Sequence, residues 1–324
     1  MGKIKIGILG YGNLGKGVEE GLRRNPDMEL VGVFTRRNPE DLNTSSPAYS
    51  LNNLKDFKDK IDVLIMCGGS KSDIPEQGPK MAQIFNTVDS FDNHGKIPEY
   101  YEIMDNIAKA NNKVAVISTG WDPGLFSLNR LFGEAVLPQG NTYTFWGKGV
   151  SQGHSDAVRR IKGVKKAVQY TLPKVEMVED IRNGQEVAYT NRTAHDREVF
   201  VVLAEGFKRD EIREEIVNMP DYFSGYNTRV HFIDDEEFER NHKKISHGGK
   251  VIRQGTTSDG NISIYQFELA LASNPEFTAS VNIAYARACY RIAQNKDYGA
   301  KTVLDIAPGL LSMYSMEELR NRIV

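Results

Sequence analysis

The chain of 324 residues, with 40% hydrophobic and 26% charged residues, has the composition of a globular protein of two ordinary domains. Its formal net charge of −2 provides no basic surface, so we expect no nucleic-acid partner. No apolar run approaches the roughly 18 residues of a membrane span. The chain enters a strand pattern at Lys3 instead of a signal-peptide apolar region, so we expect a cytoplasmic protein without membrane contact.

Two cysteines and six histidines argue against a disulfide framework and a metal site. Cys67 and Cys289 are the full cysteine complement, which fits a reducing compartment. The histidines show no paired ligand spacing, and His242 and His247, five residues apart, would not share one face of a helix. We therefore expect neither disulfides nor a bound metal.

Strands and helices alternate over residues 1–120. The segment from Lys3 to Leu9 has the apolar pattern of a buried parallel strand, and a glycine-rich turn separates it from a helix over 13–24. Further strands are predicted over 29–34, 61–66, 85–88 and 113–117, with helices beginning near Ser72 and over 99–110. The alternation predicts an α/β fold whose N-terminal domain is a doubly wound parallel sheet of the Rossmann type.

After Thr119 the predicted strands become longer and alternate in polarity. They cover 142–146, 167–175, 198–204 and 262–272, with helices over 155–160 and 278–294. This pattern predicts a second, α+β domain over residues 121–300 with an antiparallel or mixed sheet. Residues 301–324, helical in their second half, are expected to return to the first domain.

A Gly-x-Gly-x-x-Gly pattern lies between the first strand and the first helix; it consists of Gly10, Tyr11, Gly12, Asn13, Leu14 and Gly15. The first glycine of such a pattern permits a tight turn, the second lets the backbone approach a pyrophosphate, and the third brings helix and strand together. Its place within a complete βαβ unit predicts dinucleotide binding. The alternative is a strand-to-helix turn without a ligand.

The residues at the end of the second strand indicate which dinucleotide binds. An NAD site places an acidic residue there, about 20 residues past the glycines. This chain has Thr35, Arg36 and Arg37 instead. A hydroxyl and two guanidinium groups suit a 2′-phosphate, so we predict NADP, the alternative being an ordinary solvated basic turn.

Loops at the carboxyl ends of the other strands are expected to complete the cofactor crevice, as in other open α/β sheets. They contain Cys67, Gly68, Gly69 and Ser70; Ser90, Phe91 and Asp92; and Thr119, Gly120, Trp121, Asp122 and Pro123. Neither His nor Lys stands beside Cys67, which favours a small structural residue over a reactive thiol.

Two acids in these loops are candidates for chemistry. Asp92 and Asp122 follow strands of the first domain, where carboxylates suit an ammonium group or general-base work. Either is equally explained as a cap, since Asp122 precedes Pro123 and can begin a helix. Spacing alone leaves the two interpretations open.

Longer motifs resemble the meso-diaminopimelate dehydrogenase family. Besides the glycine turn they are Val-Asp-Ser-Phe-Asp-Asn-His at 88–94, Ser-Thr-Gly-Trp-Asp-Pro-Gly at 118–124 and Phe-Trp-Gly-Lys-Gly-Val-Ser-Gln-Gly-His-Ser-Asp at 145–156. The similarity continues through 192–197 and 247–249 to 272–276, so it covers essentially the whole chain. The tryptophan-containing stretches are more specific than the glycine pattern.

The resemblance implies NADP-dependent, reversible oxidative deamination at the D-centre of meso-2,6-diaminopimelate. The products would be ammonia and L-2-amino-6-oxopimelate, which cyclises to tetrahydrodipicolinate, in lysine and diaminopimelate biosynthesis. It also implies a homodimer whose second domain binds substrate and carries the dimer contact. The cofactor contacts would fall on the glycine turn and the strand-end residues named above. The substrate contacts would be Asp92, Asp122, Trp146, Gln152, Gly153, Thr171, Arg197, His247 and Asn274.

Residue chemistry fits these implied roles. Arg197 suits the distal carboxylate, with Thr171 and His247 as further donors. Asp92 and Asp122 would receive the reacting ammonium, one of them acting as base. Trp146 would lie over the aliphatic chain; the plainer alternatives are a surface salt bridge for Arg197, a core position for Trp146 and a flexible loop at His247.

Two other functions remain open. One is a different two-domain NADP oxidoreductase, such as a homoserine or dihydrodipicolinate-reductase-like enzyme. The other is a regulatory protein that senses NADP(H) without turnover. The regulatory protein would leave Asp92, Asp122 and Arg197 unexplained.

Overall fold

A computed structural model describes residues 2–242 and 246–324 of the chain, apart from the side chain of Gln152. Two compact units are present: the residues up to Leu128 together with Pro275–Val324 form the first, and Asn129–Asn274 form the second. Among the described residues, no helix is both long enough and apolar enough to cross a membrane.

A parallel sheet forms the centre of the first unit. Six of its seven strands precede the second unit: β1 (Ile4–Leu9), β2 (Met28–Thr35), β3 (Ala48–Ser50), β4 (Val63–Met66), β5 (Asn86–Asp89) and β6 (Val114–Val116). They are arranged in the order β3-β2-β1-β4-β5-β6, and every neighbouring pair is parallel. The strand order reverses between β1 and β4, which is where doubly wound sheets bind dinucleotides. The predicted Rossmann-type sheet is therefore confirmed.

Helices cover both faces of this sheet, which explains why its strands read as continuous apolar runs. The helices are α1 (Asn13–Leu22), α2 (Asp73–Met81) and α3 (Ile97–Ala110). One core cluster places Ile6 and Ile8 of β1 with Val18 and Leu22 of α1. A second cluster, on the other face, contains Tyr100, Met104 and Ala108 of α3.

The second unit contains two sheets. Helix α4 (Leu125–Val136) continues the chain into it, followed by β7 (Gly140–Trp146), β8 (Gly149–Val150), α5 (Gln152–Arg159), β9 (Val164–Pro173), α6 (Val175–Arg182), α7 (Asn191–Ala194), β10 (His195–Leu203), α8 (Arg209–Val217), β11 (Asn227–Phe232), α9 (Asp235–Asn241), β12 (His247–Ser258) and β13 (Asn261–Leu271). One sheet has the order β11-β10-β9-β8 and mixes parallel and antiparallel pairs; the other, β13-β12-β7, is antiparallel. The predicted α+β character is confirmed.

The chain returns to the first unit earlier than predicted. We expected residues 121–300 to form the second domain, but residues 121–128 and everything from Pro275 onward belong to the first unit. The returning segment comprises α10 (Asn274–Gln294), β14 (Gly299–Lys301), which pairs with β6, and α11 (Met316–Ile323). Helix α10 joins the first core through Ala279, Ile283 and Ala286. Residues 281–289 of α10 are almost all buried, and their sequence predicts a helix but does not show which core the helix belongs to.

Candidate functional site

The glycine turn has the geometry that a bound pyrophosphate requires. Gly10 has a φ of +93°, and its N–H donates to the carbonyl of Phe34 at 2.8 Å. A Cβ on Gly15 would lie 2.3 Å from the Gly10 oxygen, so the third glycine allows α1 to approach β1. Nothing lies within 4 Å of the Cβ position of Gly12, the N-cap of α1, which carries no side-chain cap. This open cradle of N–H groups at a helix N-terminus fits a dinucleotide phosphate.

The corner after β2 fits the additional phosphate of NADP. Thr35 is buried and its Oγ1 accepts the N–H of Arg37 at 3.1 Å, whereas both arginine side chains are exposed. The Arg37 guanidinium donates to the carbonyl of Tyr11 in the glycine turn. Arg36 lies 2.8 Å from Asp73, and because the arginine of this ion pair is exposed, the pair contributes little to stability. The two arginines are thus exposed beside the glycine turn, and the buried Thr35 holds the backbone of Arg37.

The other predicted cofactor loops lie at one edge of the sheet. Residues 67–70, 90–92 and 119–123 follow β4, β5 and β6, whose carboxyl ends share an edge because the strands are parallel. Ser70 links two of the loops: its Oγ donates to the carbonyl of Ser90 and accepts the N–H of Asp92, each at 3.3 Å. The backbone of Cys67 lies against Gly10, while burial raises the pKa of its thiol, so the thiol is unsuited to a reactive role.

Asp92 and Asp122 both lie beyond strands of the first unit but outside helix N-cap positions. Asp92 is exposed and precedes Asn93, the N-cap of a short 3-10 turn. Asp122 is half-buried and precedes a cis peptide bond to Pro123, and α4 begins only at Leu125. The interpretation of Asp122 as the first residue of a helix is therefore wrong, and general-base or ammonium-binding roles remain for both acids.

A buried acid that the sequence analysis overlooked fixes the loops of these two residues. Oδ1 of Asp89 accepts the N–H groups of Phe91 at 3.0 Å and Ser118 at 3.1 Å, and its Oδ2 accepts the hydroxyl of Tyr100 at 2.8 Å. The Asp89 carbonyl accepts the N–H of Thr119 at 2.8 Å. Burial raises the pKa of Asp89 to about 6, even though the three hydrogen bonds favour the carboxylate. An acidic residue directly after the strand predicted over 85–88 was the available sequence signal.

Arg197 is the central residue of the second unit's predicted site. Its side chain is 8% exposed, donates to the hydroxyl of Thr171 and stacks 4.2 Å from the ring centroid of Tyr226. Its Nε is buried without a hydrogen-bond partner, and no carboxylate of the described residues forms an ion pair with it. Burial lowers the pKa of Arg197. The surface salt bridge considered as an alternative is wrong; the residue is a buried cation without an anion.

His247 lies next to the strand pair that carries Arg197. Gly149 is the register partner of Thr171, and a Cβ on Gly149 would lie 2.5 Å from the His247 ring. Because glycine has no side chain, the His247 ring can lie directly against Gly149. Burial lowers the pKa of His247, so its imidazole is neutral near pH 7. Because β12 begins at His247, which pairs with Leu271 of β13, the flexible-loop interpretation is wrong.

Trp146 is half-buried at the end of β7 and is not a core residue, unlike Phe145 before it. Its backbone N–H donates to Nε2 of His195 at 3.0 Å, and Nδ1 of His195 donates to the carbonyl of Asn191 at 2.8 Å. Burial lowers the pKa of His195 to about 4, which keeps the ring neutral and able to accept this bond. The sequence analysis missed His195.

The remaining predicted substrate residues also belong to the second unit. Gly153 is exposed in α5, with nothing within 4 Å of its Cβ position. Asn274 is half-buried and ends the second unit. The side chain of Gln152 lies outside the described residues. The second unit thus brings Thr171, Arg197 and His247 together, whereas Asp92 and Asp122 belong to the first unit.

Known proteins resemble this chain over its full length. A sequence model of the diaminopimelic acid dehydrogenase C-terminal domain matches residues 120–273. The meso-diaminopimelate D-dehydrogenase of Ureibacillus thermosphaericus is 57% identical over 100% of both chains. The structure of Corynebacterium glutamicum DAP dehydrogenase in complex with DAP is 46% identical, covers 100% of both chains and has a TM-score of 0.93. An engineered D-amino acid dehydrogenase bound to NADP⁺ is 45% identical, with 99% of this chain and 100% of that chain covered and a TM-score of 0.88.

Proposed function

Because the chain belongs to the meso-diaminopimelate dehydrogenase family, we propose that it is an NADP-dependent enzyme that deaminates the D-centre of meso-2,6-diaminopimelate. The products are ammonia and L-2-amino-6-oxopimelate, which cyclises to tetrahydrodipicolinate; the reverse reaction is a reductive amination in lysine and diaminopimelate biosynthesis. The observation that carries the proposal is Arg197, a buried guanidinium without an anion. A dicarboxylate substrate supplies that anion.

The first unit binds the cofactor. N–H groups at the start of α1 face the pyrophosphate, and Thr35, Arg36 and Arg37 hold the 2′-phosphate. When bound, NADP⁺ supplies the hydride acceptor. The chain's own residues bind and orient the reactants around it.

The second unit anchors the end of the substrate that does not react. The Arg197 guanidinium binds the carboxylate of the L-centre, with the Thr171 hydroxyl already oriented by its hydrogen bond to Arg197. His247 adds a donor, and Trp146 covers the aliphatic chain and excludes water. With the L-centre held in this way, only the D-centre presents its C–H for oxidation, which gives the reaction its stereochemistry.

Asp92 and Asp122 act on the reacting end. Both carboxylates receive the ammonium of the D-centre, and one takes a proton from it before the C–H bond breaks. Once that proton has passed to solvent, the carboxylate accepts a proton from the water that attacks the imine carbon. It then returns this proton to the amino nitrogen, which leaves as ammonia. The Asp89 carboxylate fixes the loops in which these two acids lie.

We also propose a homodimer formed through the second unit, working in the cytoplasm without nucleic-acid or membrane partners. Support comes from large apolar side chains that are exposed on α4 and β13: Leu131, Phe132, Val136, Ile262 and Ile264. Light scattering should give twice the monomer mass, and Phe132→Glu should lower it towards that of a monomer.

One assay tests the reaction: NADP⁺ is mixed with meso-, LL- or DD-diaminopimelate and NADPH formation is followed by absorbance. We expect turnover with the meso isomer and none with the LL isomer, which lacks a D-centre. Equal rates with LL and meso would refute the stereochemical model. NADP⁺ binding without turnover of any isomer would instead favour a different NADP oxidoreductase or a sensor.

A further inference from the structure

Glu19 is a buried acid in α1 that no step of the proposed reaction uses. Glu19 is only 6% exposed. Oε1 accepts hydroxyl groups of Ser46 at 2.6 Å, Thr44 at 2.9 Å and Ser45 at 3.2 Å, and Oε2 accepts the hydroxyl of Tyr11. Four donors from two separate segments therefore converge on one carboxylate.

The hydrogen bonds keep Glu19 ionised. Burial acts to raise its pKa, but the four hydroxyl donors outweigh this effect and leave the pKa below its ordinary value. The nearest cation, Arg23, lies 3.9 Å from Oε1. Because hydroxyl donors occupy the carboxylate and a phosphate would be repelled by it, Glu19 cannot be a direct phosphate ligand.

Tyr11 connects Glu19 to the basic corner. Its hydroxyl donates to Glu19, while its carbonyl accepts the guanidinium of Arg37. Tyr11 also stands between Gly10 and Gly12, so the carboxylate holds the glycine turn and Arg37 through one residue.

Residues 34–46, the segment that contains Arg36 and Arg37, are held at both ends. At its start, the Gly10 N–H donates to the Phe34 carbonyl at 2.8 Å. At its end, the hydroxyls of residues 44–46 converge on Glu19. Loss of the carboxylate would therefore release the far end of this segment and the Tyr11 side chain together.

We propose that Glu19 is a positioning residue that sets the preference for a 2′-phosphorylated dinucleotide by holding Arg37 and the loop of residues 44–46. The inference rests on the proposed function, in which the corner after β2 binds the 2′-phosphate. It goes further in assigning part of that selectivity to a buried acid on α1 that never touches the ligand.

The test is direct binding of two fragments, 2′-phospho-ADP-ribose and ADP-ribose, measured by calorimetry on the intact protein. Glu19→Gln should weaken binding of the 2′-phosphorylated fragment about fivefold to tenfold, since an ionised acceptor is lost. Binding of ADP-ribose should change less than about twofold, because the hydrogen bond from the Gly10 N–H to the Phe34 carbonyl holds the glycine turn without Glu19 and this fragment lacks the phosphate that the corner binds. Glu20→Gln is the matched control: Glu20 pairs with Arg23 and Arg24 on the exposed side of α1, and both affinities should stay unchanged.

Tyr11→Phe provides a second variant. It removes the hydroxyl but keeps the carbonyl that Arg37 uses, so the same selective loss should appear with smaller size. If Glu19→Gln does not fold, as near-ultraviolet circular dichroism would show, the result with Tyr11→Phe decides.

An unchanged ratio of the two affinities in folded Glu19→Gln overturns the inference, and so does an equal loss for both fragments, which indicates a purely structural role. A gain for the phosphorylated fragment also overturns it, since the carboxylate would then act by repulsion. The cofactor assignment itself fails in a different way: the wild-type protein would bind both fragments equally.

Discussion

Tyr100 donates a hydrogen bond of 2.8 Å to the carboxylate of Asp89, and both side chains are buried in the first unit. The other carboxylate oxygen holds the N–H groups of Phe91 and Ser118, one in each of the loops that carry the two candidate catalytic acids. Protonation of Asp89 would remove acceptor capacity from this arrangement and loosen a loop. The ionisation of Asp89 therefore controls the geometry of the loops that carry the two acids proposed to act on substrate.

This relationship predicts a shift in the pH dependence of turnover. Burial raises the pKa of Asp89 to about 6, and the Tyr100 hydrogen bond opposes that rise by favouring the carboxylate. Tyr100→Phe removes the hydrogen bond, so the pKa of Asp89 should increase and the acid limb of kcat/KM should move to higher pH by about half a unit to one unit. Steady-state rates measured from pH 5 to 9 would show the shift.

Tyr101→Phe serves as the control for this pH shift, because the Tyr101 hydroxyl donates to the carbonyl of Ala300 and not to Asp89. Its pH profile should match that of the wild type. Identical acid limbs in all three proteins would disprove the role given to Asp89.

Arg197 leads to a prediction in which substrate binding and stability respond differently. Arg197→Met should raise the KM for diaminopimelate by about 10-fold to 100-fold, because a charge-assisted, bidentate interaction is lost, while the KM for NADP⁺ stays unchanged. The midpoint of thermal unfolding should not fall, since no carboxylate is left unpaired and methionine fills most of the space. Steady-state kinetics and calorimetry measure the two effects.

Arg229→Met is a suitable comparison for Arg197→Met. Arg229 lies on the neighbouring strand β11, where it is half-exposed and 3.6 Å from Glu198. The Arg229→Met substitution also removes one positive charge, but the KM for diaminopimelate should stay within about twofold of the wild type. A large fall in the unfolding midpoint of Arg197→Met with an unchanged KM would show that Arg197 is structural.

The first unit was largely predictable because burial of parallel strands on both faces leaves continuous apolar runs such as β1. Helix α10 was assigned to the wrong unit because a helical pattern in the sequence does not identify the core against which the helix packs. Strand β12 was missed since its buried residues include Arg253 and Gln254, which look like surface residues in the sequence. Arg253 is buried because its guanidinium donates to the carbonyls of Leu137 and Pro138.

The residues of the candidate site were likewise predictable only where they are close together in the sequence. The glycine turn and the basic corner are local in sequence, so spacing alone found them. Asp89, His195 and Glu19 act through partners that the fold supplies, such as the Ser118 N–H for Asp89 and the Trp146 N–H for His195. No spacing rule identifies such residues, because their function depends on contacts between distant segments.

His195 makes the second unit sensitive to acid. Its pKa is lowered to about 4 by burial, whereas an unfolded histidine has a pKa of about 6.5. Between these values the unfolded chain binds the proton and the folded protein does not, so stability falls as the pH drops from about 6.5 to 4. At pH 5 the loss from this one residue is about 2 kcal/mol.

Replacement of His195 should therefore change both the stability at pH 7 and the way in which stability depends on pH. His195→Gln should lower the urea midpoint at pH 7, because the Trp146 N–H loses a well-placed acceptor, but the deficit should shrink at pH 5. His94→Gln, on an exposed turn, should behave like the wild type at both pH values. A deficit that is constant with pH would exclude a neutral, buried His195.

Arg287 of α10 joins the returning segment to the start of the first unit. Its guanidinium is 3% exposed and donates to both carboxylate oxygens of Asp27, at 2.6 and 2.8 Å, to Asn25 at 2.8 Å and to the Leu311 carbonyl at 2.8 Å. The hydrogen bonds from Arg287 hold the pKa of Asp27 below its ordinary value, although burial opposes this.

Arg287→Ala should destabilise the protein by about 3 kcal/mol, because it leaves Asp27 without its cation. The double variant Arg287→Ala/Asp27→Ala should be less destabilised than the sum of the two single variants, by about 1 kcal/mol or more. Thermal unfolding of the four proteins provides this cycle. Strict additivity would mean that the two residues stabilise the fold independently.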